Sequence, residues 1–181
     1  AADPAEFYTS PDNPWRIGNV LIRGPLVLAP LAGFGSPPMR LPFRRAGAPL
    51  VFTEMVSCHG LYQGNRKSGR LLDILPEEHP VALQVFGGDP RIMAAVVPRV
   101  QESGADIIDI NMGCPVPKVI RSEGGAALMH DHDRAVAVAR AVVAAARVPV
   151  TCKIRAGAYK GDTTYLSLAL RLQDAGVAAI S

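Results

Sequence analysis

The residues best placed for chemistry in this 181-residue chain lie in one run, Asn111-Met112-Gly113-Cys114-Pro115-Val116-Pro117-Lys118. Glycine admits an unusual turn and proline stiffens it, so the thiol of Cys114 is expected at a loop tip rather than packed as a small hydrophobe. A free thiol with a pKa of about 8.5 is largely protonated at neutral pH and can donate a proton, whereas nucleophilic work needs a nearby base or cation. No histidine or carboxylate adjoins Cys114 in sequence, although one can approach in space. The residues themselves leave acid and nucleophile both open.

A second set of polar residues ends otherwise apolar runs. Glu54, Gln84, Asp109 with Asn111, and Lys153 with Arg155 each fall near the C-terminal end of a segment that reads as a strand. Alternation places Asp109 and Asn111 on one side of their strand, and Lys153 and Arg155 on one side of theirs. A fully buried parallel strand should be almost purely apolar, so these exceptions mark the active face of an α/β barrel, where strand ends and the loops after them converge. Glu54 and Asp109 can equally bond one another or backbone groups inside a barrel. An unpaired buried ammonium is costly, which points Lys153 towards a partner.

The elements that must position these residues follow from the alternation of short β-rich runs with longer amphipathic ones. Strands are expected at Pro25–Pro30, Leu50–Met55, Val81–Phe86, Asp106–Asn111 and Pro149–Ile154, with a sixth beginning at Val177. Helices are expected near Pro37–Ala46, Pro90–Ser103, Asp133–Ala146 and Thr163–Ala175, with an irregular connection over Ser57–His79 and a small hairpin within Trp15–Arg23. Strands separated by helical crossovers imply a parallel sheet with helices outside. Pro42 and Pro98 fall inside helices and should kink or shorten them.

Composition narrows the class. Hydrophobic residues make up 49% of the chain, enough for one sizeable core, and its glycines and prolines sit mostly between apolar runs. Cys58, Cys114 and Cys152 are an odd number at wide spacings without a C-x-x-C, which implies neither a disulfide framework nor a cysteine-rich zinc site and suits a reducing cytoplasm. The first nineteen residues lack the apolar core of a signal peptide, and no later stretch is long and apolar enough for a membrane span. A net charge of +3 is compatible with a polyanionic partner but too mild to establish one. His130 and His132, two apart before a helix that Asp131 or Asp133 can cap, read as surface residues rather than metal ligands, and no metal is expected.

The run Asn111–Lys118, preceded by A-D-I-I-D-I, resembles the catalytic signature of bacterial tRNA-dihydrouridine synthases, especially the B-type branch. The likeness extends in order through P-L-V-L-A-P-L-A-G at 25–33, P-L-V-F-T-E-M-V-S at 49–57, P-V-A-L-Q-V-F-G at 80–87, G-A-A-L at 125–128 and V-T-C-K-I-R-A-G at 150–157. The resemblance implies a TIM-type (β/α)8 barrel in which NADPH or NADH reduces FMN, the flavin passes hydride to C6 of a D-loop uridine in tRNA, and a cysteine protonates C5. Cys114 matches that proton donor. Pro30, Leu31 and Ala32 match the first FMN loop, Gln84 the residue that hydrogen-bonds the flavin ring, and Lys153 the lysine at its pyrimidine edge; Asn111 is placed to orient flavin or uracil. Arg155 suits either a phosphate or a structural ion pair.

Leu31 stands where the family usually has methionine, and Gly35–Ser36 where Thr-Asp is common. The family also continues with a His-Gly segment, two further strands whose loops hold the FMN phosphate, and a helical tRNA-binding domain. Within residues 1–181 the resemblance therefore implies an N-terminal extension and hairpin at 1–24 and an incomplete FMN barrel at 25–181, about five βα units plus a sixth strand, which alone should be colourless, associating and inactive. The run G-F-G at 33–35 with Glu54 mimics a dinucleotide-binding opening, but prolines at 37 and 38 replace the third glycine. Two rivals remain: an FMN barrel reductase of a free pyrimidine, of the dihydroorotate or dihydropyrimidine dehydrogenase kind, and a non-catalytic half-barrel.

Overall fold

The computed structural model describes residues 14–181. It begins with an antiparallel hairpin of β1 (Trp15–Ile17) and β2 (Val20–Ile22), turned at Gly18 with φ +57°. The first βα unit contributes no regular strand: within Pro25–Pro30 only Leu28 pairs, by a parallel bridge to Val51. The expected strand shrinks to that bridge because prolines at both ends offer no N–H to a ladder and, among the described residues, no strand pairs on its outer side. After α1 (Pro37–Arg45) come β3 (Val51–Phe52), β4 (Val56–Ser57), α2 (Cys58–Tyr62) and α3 (Arg66–Arg70). The regular units follow: β5 (Val81–Phe86), α4 (Pro90–Glu102), β6 (Ile107–Asn111), α5 (Pro117–Ile120), α6 (His132–Ala145), β7 (Val150–Lys153), α7 (Tyr165–Asp174) and β8 (Ala179–Ile180).

The parallel sheet runs β3-β5-β6-β7-β8, with β4 also on β5 and Leu28 outside β3. Each strand therefore lies beside its sequence neighbour without the order reversal of a doubly wound dinucleotide fold, which leaves a partly built barrel. Leu26, 78% exposed, lies near one open edge of the sheet, and β8 forms the other. Among the described residues no helix is long and apolar enough to cross a membrane.

Alternation divides the strands cleanly. Leu83 and Val85, Ile108 and Ile110, and Cys152 join the large core with α4 and α6. Ala82 and Ile107, on the opposite side, pack with Leu50 against Ile17 and Ile22 of the hairpin, which so plugs the N-terminal end of the sheet. The alanine- and valine-rich helix is the packing element its pattern indicates, burying Ala135, Val136, Val138, Ala139 and Val142, and Asp131 caps it through the N–H of Arg134 at 3.0 Å. Neither internal proline ends its helix: α1 continues to Arg45 beyond Pro42 and α4 to Glu102 beyond Pro98. Both prolines are exposed, where a carbonyl lacking its helical partner can bond water.

One buried ion pair secures α1. Arg40, 1% exposed, donates from Nε to Glu78 Oε1 at 2.7 Å and from Nη2 to Oε2 at 2.9 Å, and also bonds the carbonyls of Gly35 and Asp73. Leu75 N donates to the same carboxylate at 2.7 Å. Removing one partner of such a pair leaves an uncompensated charge in the interior. Arg40→Met is expected to lower the unfolding free energy in urea by about 3 kcal/mol, and adding Glu78→Leu should restore most of it; a loss below about 1 kcal/mol would show that the pair is not what holds α1.

Candidate active site at the strand ends

Between Phe52 and Val56 the second strand carries one residue more than its partner: Val51 pairs with Val81 and Phe52 with Ala82, but Val56 pairs with Val85. This bulge at Thr53–Met55 interrupts the strand expected over Leu50–Met55, and such bulges commonly re-aim side chains beside active sites. Thr53 Oγ1 accepts from Gln84 N at 3.0 Å, and Glu54 reaches across to accept from Gly33 N at 3.0 Å. Glu54 thus ties the first loop to the second strand end and does not bond Asp109.

Register brings Gln84, Asp109 and Thr151 into one row across β5, β6 and β7. Asp109 is 1% exposed, and its two carboxylate oxygens accept from Gln84 Nε2 and from Thr151 Oγ1, each at 2.6 Å. Burial pushes its carboxyl above the ordinary range, while the Gln84 and Thr151 donors and the Lys153 charge pull the other way. One step nearer the C-terminal ends, Asn111 pairs with Lys153. Asn111 Nδ2 donates to Gln84 Oε1 at 3.0 Å, so the row continues into the loop. Lys153 is half-buried, and among the described residues no carboxylate lies within salt-bridge distance of it.

Asn111 Oδ1 accepts the backbone N–H groups of Gly113 and Cys114, at 3.1 and 2.9 Å. The Cys114 carbonyl accepts from Ala126 N at 2.9 Å, and Met112 N donates to Lys153 O at 2.8 Å. Gly125, at φ +57°, passes so close that a Cβ there would stand 2.6 Å from Cys114 O. Clamped on both sides, Cys114 is half-buried, and the exposed tip belongs to Pro115–Lys118. Among the described residues Arg155 meets no carboxylate; its Nη1 donates to Gly113 O at 3.2 Å.

Gln84, Asn111, Lys153 and Cys114 are therefore one group, joined by bonds and by register. Pro30, Leu31 and Ala32 lie on the neighbouring first loop, half-buried at Pro30 and exposed at the other two, and among the described contacts they reach the group only through Gly33 and Glu54. Two features escaped the sequence. Thr151 completes the row, a role that its alternation with Lys153 signals. A cavity of about 520 Å³ beside the loop is lined by Phe86, Ile92 and Met93 and by His59, Lys118 and Arg121. Backbone contact builds that cavity: a Cβ on Gly88 would stand 2.3 Å from Glu123 O, and one on Gly124 2.9 Å from Gly87 N. Nothing in local pattern announces that two glycine pairs will meet.

Comparison with protein-family models matches residues 27–181 to "Dihydrouridine synthase (Dus)". The chain belongs to the dihydrouridine synthase family. Among curated relatives, tRNA-dihydrouridine synthase B of Pseudomonas putida is 41% identical over 168 residues, which cover 92% of this chain and 49% of that protein. The protein of that name from Pseudomonas aeruginosa is 40% identical over 92% of this chain and 50% of its own, and a probable tRNA-dihydrouridine synthase of Treponema pallidum is 34% identical over 93% and 52%. The chain spans about half the length of the curated relatives it matches. Among solved structures, a variant of NCR from Zymomonas mobilis superimposes with a TM-score of 0.61 at 16% identity, over 95% of this chain and 68% of that one. Mandelate oxidase gives 0.54 at 17%, over 92% and 51%. These distant likenesses show the barrel fold.

The three thiols of this family member differ in reach. Cys58, expected in a loop, instead starts α2 in the core, where burial pushes its thiol up to about 12; burial likewise raises Cys152 well above the ordinary thiol. Iodoacetamide at pH 8 on the native protein is expected to alkylate Cys114 at least about tenfold faster than either, because the thiolate is the reacting form. Peptide mass spectrometry reads the three sites separately; comparable labelling of Cys58 or Cys152 would contradict the placement.

Proposed function

We propose that this chain, within a complete barrel, forms the catalytic half of a tRNA-dihydrouridine synthase that reduces the C5=C6 bond of a D-loop uridine with FMN and NADPH or NADH. The observation that carries the reading is the placement of Cys114: its N–H is held by Asn111, which is bonded to Gln84 and paired in register with Lys153. These residues suit a flavin ring. Gln84 uses one of its two amide N–H groups and one of its two carbonyl lone pairs within the protein, which leaves a donor and an acceptor unused in a side chain that is 1% exposed, so ring contact would require that amide to be uncovered. Lys153 offers an ammonium free of any carboxylate salt bridge among the described residues, the charge that favours a reduced, anionic ring. Bound FMN would supply the hydride.

The remaining steps fall to the chain's own groups. Cys114 carries the transferable proton of a thiol and delivers it to uracil C5 as electron density builds there. Asn111 holds the loop so that this proton has a fixed origin. Pro30–Ala32 form the neighbouring wall of the site. The exposed cations Lys118, Arg121 and Arg155 surround the loop and suit a polyanionic RNA better than a free pyrimidine.

In a protein that carries this chain in a complete, flavin-loaded barrel, Cys114→Ala is expected to keep FMN and its reduction by nicotinamide but to lose uridine reduction by roughly a hundredfold or more. Wild-type dihydrouridine formation by that variant would sink the assignment, and reduction of free uracil or orotate instead of tRNA would select the free-pyrimidine reading. Lys153→Met should weaken flavin retention or lower its reduction potential, since the anionic hydroquinone loses its cation. Unchanged occupancy and potential together would remove Lys153 from the site.

A further inference from the structure

We propose that Asp109 is a positioning residue, whose carboxylate fixes which way round the Gln84 and Asn111 amides sit and thereby holds the loop of Cys114. Its catalytic meaning rests on the function proposed above, but the device itself is a property of this chain. An amide side chain can turn over and exchange its oxygen for its nitrogen, so something at each end of a row of amides must set the polarity. At the loop end the setting is rigid: the backbone N–H groups of Gly113 and Cys114 can only donate. Asn111 must therefore present Oδ1 to them and Nδ2 to Gln84. Gln84 must in turn present Oε1 to Asn111, which leaves Nε2 in search of an acceptor.

Asp109 is that acceptor. Its Oδ2 takes Gln84 Nε2, and its Oδ1 takes the Thr151 hydroxyl. From the loop to Asp109 every donor then points the same way, and Thr151 donates to Asp109 from the far side. Gln84 and Asp109 are 1% exposed, Thr151 5% and Asn111 9%, so water is not at hand to repair a broken link. If position 109 ceased to accept, Gln84 would lose its reason to face that way. Turned over, it would set its NH2 against that of Asn111, and the conflict would pass to the two loop amides.

The essential property is thus acceptance, not charge. Asparagine at 109 can keep its amide oxygen towards Gln84 while its NH2 donates to Thr151, whose hydroxyl accepts as readily as it donates. Leucine cannot. Were Asp109 instead a counter-ion for Lys153, both replacements would fail alike.

The test is amide hydrogen exchange in a complete barrel containing this chain, prepared without flavin or RNA, resolved to Gly113 and Cys114 by fragmentation mass spectrometry and referred to amides in α6. Asp109→Leu is expected to speed both amides by about tenfold relative to α6, and Asp109→Asn to keep them within about threefold of the parent. Unchanged relative exchange in Asp109→Leu, or an equal loss in Asp109→Asn, overturns the proposal. Should Asp109→Leu not fold, Gln84→Met cuts the same row one link along and must loosen the same two amides about tenfold; if it does not, the proposal fails. Because neither cofactor nor substrate takes part, failure here leaves the proposed reaction standing, and failure of the reaction leaves this row intact.

Discussion

A carboxylate taken out of water must be met by donors or it will not remain ionised. Asp109 imposes that condition at the centre of the sheet, where burial raises its carboxyl above the ordinary range and its neighbours supply the donors that pull the other way: Thr151 from one side, Gln84 from the other, with Asn111 behind Gln84. The strand register that puts these residues in line is itself set by the apolar faces outside, where Leu83, Ile108 and Cys152 pack against α4 and α6. A slip of one residue on any strand would turn its polar residue into that core, so the packing of the helices and the geometry of the site enforce each other.

The molecule uses buried charge in two ways. Arg40 and Glu78 neutralise one another, and Arg40 also donates to the carbonyls of Gly35 and Asp73, which fastens α1 to the irregular segment before β5. Asp109 has no such partner; its needs are met by neutral groups, and Lys153 acts on it only at a distance. That difference leaves the ammonium of Lys153 without a carboxylate partner at the strand ends among the described residues. The loop itself is held by backbone contact as much as by side chains, since Gly88, Gly124 and Gly125 allow main chain to touch main chain where any Cβ would intrude.

Much of this could be read from residue types. Val81–Phe86 is the strand that its apolar run and flanking breakers indicate; alternation puts Asp109 with Asn111 on one side of their strand and Lys153 with Arg155 on one side of theirs, and the folded chain packs the other side of each strand against the helices. The first two strands were less legible. Pro25–Pro30 reads as β-rich, yet its pairing depends on an outer neighbour, and the bulge at Thr53–Met55 depends on how many residues β5 sets opposite, which no local pattern encodes. Arg155 read as suiting a phosphate or an ion pair by its type, and its bond to the Gly113 carbonyl at the end of the neighbouring strand is a contact that residue type does not announce. The burial of Arg40 and the cavity beside the loop arise from segments far apart in sequence, and only the folded chain brings them together.

The central claim is that the strand-end group of Gln84, Asn111, Lys153 and Cys114 is where a flavin and a pyrimidine meet. A crystal structure of a complete barrel containing this chain, with FMN bound, tests it most directly. The account predicts ring density within hydrogen-bonding distance of the Gln84 amide and the Lys153 ammonium, with the Cys114 thiol facing the space above the ring. A ring seated instead in the cavity between Phe86, Met93, Lys118 and Arg121, out of reach of Lys153, would contradict it.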